Sequence, residues 1–108
     1  MHVEIVDNVA RSTVSVLIPA MEAACDVRVA VAYITSDGLA CIASALDRAT
    51  GADAAVEFLV GMDPQATDAS ALRTLYAMAR TVPRCALLCI APRDPVAIYH
   101  PKMYLARD

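Results

Sequence analysis

Three short apolar runs set the terms on which this chain can fold. Val27–Ile34, Ala54–Gly61 and Cys85–Ile90 are six to eight residues long, rich in branched side chains, and carry at most one charge apiece. Runs of that length and composition read as strands. Between them the apolar residues recur at helical spacing, through Leu39, Ile42, Ala43 and Leu46 in the first gap and Leu72, Leu75, Tyr76 and Ala79 in the second. Strands that alternate with helices of about ten to fifteen residues imply βαβ units, because a parallel pair needs a crossover connection long enough to hold a helix. The expected fold class is α/β, with a mostly parallel or mixed sheet and helices on both faces.

Turn residues punctuate this pattern. Thr35-Ser36-Asp37-Gly38 breaks the first strand, and Ser36 or Asp37 is the expected cap of the helix that runs to Thr50-Gly51. Asp63-Pro64 ends the second strand, Thr67 or Asp68 is expected to cap the next helix, and Val82-Pro83 ends it. Ala91 to Pro95 reads as a turn. Upstream, Met1–Val6 alternates weakly as a short edge strand, and Asp7 or Ser12 to Ala24 reads as a helix broken at Pro19. Downstream, Met103–Ala106 is a fourth apolar strand with little chain after it. Residues 1–108 are therefore expected to form one domain that is incomplete at its C-terminus, since an uncovered apolar strand would be prone to pair with other chains.

The chemistry-bearing stretch is Tyr99-His100-Pro101-Lys102-Met103-Tyr104-Leu105, which holds the only lysine and one of the two histidines. Alternate side chains of a strand share a face, so His100 and Lys102 should project together, roughly 6–7 Å apart along the backbone. A fixed cation can bind a phosphate oxygen, and it favours neutral imidazole, the form able to attack phosphorus. The same tripeptide also reads as a solvated strand end. His2, close to the N-terminus, is given no role.

His100-Pro101-Lys102 followed by Met103-Tyr104-Leu105 resembles the His-x-Lys signature of the phospholipase D superfamily, in particular its phospholipase D-like nuclease branch. Val31 to Thr35, Asp37-Gly38-Leu39, and Leu59 to Asp63 with Thr67-Asp68 resemble that branch in the same order. The resemblance implies a phospholipase D-like fold and a metal-independent phosphodiesterase, in this branch a nuclease on DNA, working through a phosphohistidine on His100 with Lys102 binding phosphate and no cofactor. It also implies a homodimer, because the mechanism uses two histidines and this part of the chain carries one such motif. Two features depart from the family pattern: Arg107 stands where the fuller signature has an aspartate, and the Gly-Ser-x-Asn segment is absent.

Composition narrows the alternatives. The formal charge of −3 is not the basic footprint of a general nucleic-acid binder, so phosphate contacts would have to be local. This favours the rival reading, a non-catalytic α/β domain that binds a phosphate or an acidic partner. The longest uncharged run, Ser12–Met21, is far shorter than the roughly 18 apolar residues of a spanning helix, and no basic leader precedes it, so the expected protein is cytoplasmic with no membrane contact. Cys25, Cys41, Cys85 and Cys89 form no Cys-x-x-Cys pair and sit in apolar stretches; they are read as buried free thiols, with no metal. Thr35, Ser36, Asp37 and Asp63 would fall beyond the strand ends, where α/β sites gather, and their expected employment is capping and turn formation rather than catalysis.

Overall fold

A computed structural model describes residues 9, 11–63, 65–91 and 100–108. Their elements are α1 (Thr13–Ala23), β1 (Asp26–Val31), α2 (Ser36–Gly51), β2 (Ala55–Gly61), α3 (Ala69–Thr81), β3 (Cys85–Ile90) and β4 (Lys102–Arg107). The strands form one sheet in the order β3-β2-β1-β4. β1, β2 and β3 are parallel neighbours, whereas β4 lies antiparallel on the outer side of β1. The α/β class and the mixed sheet are thus as the periodicity predicts. The Met1–Val6 strand, His2 and the Pro92–Pro95 part of the turn lie outside the described residues.

Among the described residues all three helices lie on one face of the sheet, where helices on both were expected. Val27, Val29 and Val31 of β1 and Val56, Phe58 and Val60 of β2 point the same way and are buried. They pack in one core with Met21 of α1, Leu39, Ile42 and Leu46 of α2, and Ala71 and Leu75 of α3. The intervening positions face away from all three helices. There Arg28 of β1 stands opposite Glu57 of β2, and burying that pair under a helix would take two charges out of water. The strand sequences Asp26-Val27-Arg28-Val29 and Ala55-Val56-Glu57-Phe58 carry the alternation of a half-covered sheet.

Local signals account for the ends of the helices. Ser12 caps α1, its hydroxyl oxygen accepting from the Ser15 amide at 3.2 Å. Pro19 does not break α1, which is continuous from Thr13 to Ala23. Proline's fixed φ is compatible with a helix, but the ring removes one N–H and crowds the carbonyl four residues back; packing of α1 on α2, which includes a 3.3 Å ion pair between Arg48 and Glu22, offsets that local cost. Thr35, one residue earlier than expected, caps α2: its Oγ1 accepts from Gly38 N at 3.1 Å. A Cβ at Gly38 would lie 3.1 Å from that oxygen, so a larger residue would crowd the cap. After α2 the chain turns through Asp53, whose φ of 62° is left-handed, a conformation aspartate tolerates better than most residues.

Two opposite effects on stability are expected. Phe58→Ala, at a residue that is 1% exposed, should lower unfolding free energy by about 3–5 kcal/mol. Pro19→Ala, on an exposed helix position, should raise it by about 1–3 kcal/mol by restoring a hydrogen bond and helix propensity. Urea unfolding followed by circular dichroism measures both, and an unchanged or lower midpoint for Pro19→Ala would contradict the reading of α1.

Candidate functional site

The antiparallel attachment of β4 decides where the His-Pro-Lys stretch lies. Lys102 stands opposite Val31, the last residue of β1, and Ala32 N donates to Pro101 O at 2.9 Å. The start of β4 therefore sits at the carboxyl ends of the parallel strands, the end where α/β sheets place their sites. Lys102 shares the helix-bearing face with Val31, and its Nζ lies 3.4 Å from His100 Nδ1. Both side chains are exposed. The two side chains thus come together as expected, with His100 just ahead of β4, and Lys102 is the one polar partner of the imidazole among the described residues.

The direction of that contact has chemical content. An ammonium group only donates, so it uses the lone pair of Nδ1 and leaves the ring proton on Nε2. In this form Nε2 can donate to a phosphate oxygen but cannot attack phosphorus. Attack from Nε2 requires the proton to move to Nδ1 and Lys102 to turn away. At 3.4 Å the contact is long for a nitrogen–nitrogen hydrogen bond, and an anionic phosphate oxygen is a stronger acceptor for Nζ than the ring.

Beside the pair, Lys102 and Tyr104 line a groove of about 630 Å³ between α1 and α2. Val29, Val31, Phe58 and Ile42 give it an apolar floor, and Thr13, Tyr33 and Thr35 also line it. Sequence reasoning missed the two tyrosines. Tyr104 was legible, since it lies two places after Lys102 and so shares its face. Tyr33 follows the end of β1, and its place depends on how the chain leaves the sheet.

The four rim candidates serve the backbone. Thr35 caps α2. Ser36 N donates to Asp68 Oδ2 at 2.8 Å, and its hydroxyl lies 2.8 Å from that of Ser70. Asp63 Oδ1 accepts from Gln65 N at 2.9 Å, and Asp37 is exposed in the first turn of α2, where a carboxylate complements the helix dipole. Asp68 precedes α3, but its carboxylate is engaged by Ser36 rather than by its own helix. Its amide also donates to Ile34 O at 2.9 Å, so this one residue ties the start of α3 to the start of α2.

Arg107 faces the other side of the sheet from Lys102, five places along β4. It is ion-paired there, 3.3 Å from Asp26, which also holds Arg28 at 3.3 Å. The departure from the family signature at position 107 consequently lies away from the His100–Lys102 pair. The cysteines correct their expectation too: Cys25, Cys41 and Cys89 are exposed and only Cys85 is partly covered. Cys85 and Leu87 of β3 pack against the core, whereas Cys89, further along the same face, does not. Burial pushes the Cys85 thiol up. Among the described residues no group of histidine, cysteine and acidic side chains could hold a metal ion, and no helix is long and apolar enough to cross a membrane.

No protein-family model, curated protein or solved structure matches the chain.

Two outcomes follow from this local wiring. Asp68→Ala should cost about 1–2 kcal/mol, the range for losing a helix-end hydrogen bond, and Asp68→Asn should recover part of it; equal urea midpoints for all three proteins would refute the tie. In iodoacetamide labelling of the folded protein near pH 8, Cys85 should react last of the four cysteines, because it has both the least access and a thiol that ionises later. Peptide mass spectrometry gives the order, and early labelling of Cys85 would contradict it.

Proposed function

We propose that His100 and Lys102 form one half of a metal-independent phosphodiesterase site of the phospholipase D-like nuclease kind, acting on DNA. The observation that carries this reading is the pair itself, an imidazole and an ammonium 3.4 Å apart at the carboxyl ends of the three parallel strands. In the proposed reaction Lys102 takes a non-bridging phosphate oxygen, which frees the ring. His100 then attacks phosphorus, an N–P bond forms as the bond to the leaving oxygen breaks, and a second, protonated imidazole gives its proton to that oxygen. Water activated by the same second imidazole then cleaves the phosphohistidine. No cofactor enters these steps.

The second imidazole must come from outside the described residues of one copy. We take it from a second chain, with two His100 side chains meeting at one phosphate about a twofold axis, the commonest symmetry of assembly. A cytoplasmic enzyme that forms one part of a larger phospholipase D-like domain is the setting this reading implies.

One observation favours a second reading, a non-catalytic phosphate- or partner-binding domain. When Lys102 donates to Nδ1 the ring proton sits on Nε2, which suits two donors gripping an anion without attack. The two readings part in a single-turnover assay on a phosphodiester oligonucleotide with EDTA present. The enzyme reading expects cleavage that survives EDTA, its loss in His100→Ala, and a fall of roughly 30- to 1,000-fold in Lys102→Ala, equivalent to about 2–4 kcal/mol for one electrostatic donor. Trapped wild-type protein should carry one fragment of the oligonucleotide joined to His100 through its phosphate. Undiminished cleavage by His100→Ala would refute it; phosphate binding that needs Lys102, with no cleavage and no phosphohistidine, would establish the binding reading instead.

A further inference from the structure

The face of the sheet that carries no helix among the described residues is apolar across its middle. In register, Leu88 of β3, Leu59 of β2, Ala30 of β1 and Met103 of β4 form one row across all four strands. Leu88 is 48% exposed, Met103 is 52% and the nearby Leu105 is 54%. Three large apolar side chains this open on one surface mark an interaction site more than a solvated one. The adjoining row places Glu57 of β2 beside Arg28 of β1 near the centre of the face, with Arg28 steadied by its 3.3 Å pair to Asp26.

This arrangement matches its own image. A twofold axis running along the strands, midway between β1 and β2, lays β2 of one copy over β1 of the other without reversing strand direction. Arg28 then meets the partner copy's Glu57, and Glu57 meets its Arg28. Leu88 falls on Met103 at both flanks. The roughly 30° angle usual for packed sheets displaces the flanks but hardly moves the central charge pairs, which lie within about one strand spacing of the axis. We infer that a second copy of this chain covers the open sheet face, as a face-to-face dimer registered by reciprocal Arg28–Glu57 pairs and by Leu88 on Met103.

The inference does not rest on any role of His100. Each His100–Lys102 pair stays on the outer, helix-bearing side of this dimer, so a contact that brings two His100 side chains onto one phosphate would be a different one. Four strands of six or seven residues make a face of about 20 Å by 19 Å. That is on the order of 400 Å² per copy, about half of a standard partner's share, so association should be weak.

Sedimentation velocity from about 10 µM to 1 mM tests the inference. The wild-type protein should move from monomer to dimer across that range, and Leu88→Lys and Met103→Glu should each remain monomeric, with circular dichroism and urea midpoints showing that they fold. Combining Leu88→Lys with Met103→Glu should restore the dimer, because the two charges meet only across the interface; within one chain they stand three strands apart. A wild-type monomer at 1 mM, a dimer indifferent to both single substitutions, or a double variant that stays monomeric would each overturn the inference.

Discussion

The alternation of side chains along β1 is the constraint on which the rest of the structure depends. Val27, Val29 and Val31 face the helices; Asp26, Arg28 and Ala30 face away. A slip of one residue against either neighbour would exchange these sets and set Arg28 against the core. With β2 in the same register, six buried side chains depend on that parity, a contribution on the order of 10 kcal/mol and so comparable to the whole stability of a small domain. β1 is also the strand that both β2 and β4 pair with, so its phase sets the facing of Phe58 on one side and of Lys102 and Tyr104 on the other.

That phase gives the two sides of β4 separate tasks. Lys102 and Tyr104 turn toward the groove between α1 and α2, while Met103, Leu105 and Arg107 turn to the helix-free face. The spacing of two between His100 and Lys102 then matters less as a motif than as a phase relation. Two residues apart, they share the side on which the helices α1 and α2 begin; position 107, an odd number of places from either, does not. A carboxylate at position 107 would stand beside Asp26, Arg28 and Leu105, not beside the imidazole.

Much of the fold was legible because each strand and helix carried its own period and its own stop. The Val27–Ile34, Ala54–Gly61 and Cys85–Ile90 runs correspond to β1, β2 and β3, and Gly51 and Val82-Pro83 lie where α2 and α3 end. The number of covered faces was misjudged because apolar content was weighed above alternation. Arg28 and Glu57 were each a single charge in an apolar run, and only their pairing across β1 and β2 shows that both belong to one open face. Pro19 misled for a related reason: its local cost is real, but packing of α1 on α2 outweighs it. At the site, His100 and Lys102 were readable from spacing alone, whereas the groove beside them was not. Its walls come from α1, α2, β1 and β4, and no stretch of sequence shows which helix will lie over which strand.

The acidic balance of the chain bears on what the pair can hold. Asp37 and Asp63 are exposed where β1 and β2 lead into their following loops, at the same end of the sheet as Lys102. A polyanion approaching this end meets one lysine and at least two carboxylates, so its distant phosphates are repelled over roughly the 8–10 Å that salt leaves unscreened. A single phosphate seated against Lys102 escapes most of that repulsion, because the contact is direct and the Asp63 carboxylate is held in its own turn. Contact with one phosphate at Lys102 and long-range attraction of a nucleic acid therefore make separate demands on this surface. The described residues supply groups suited to the first, and a second copy or further chain would have to supply the basic surface for the second.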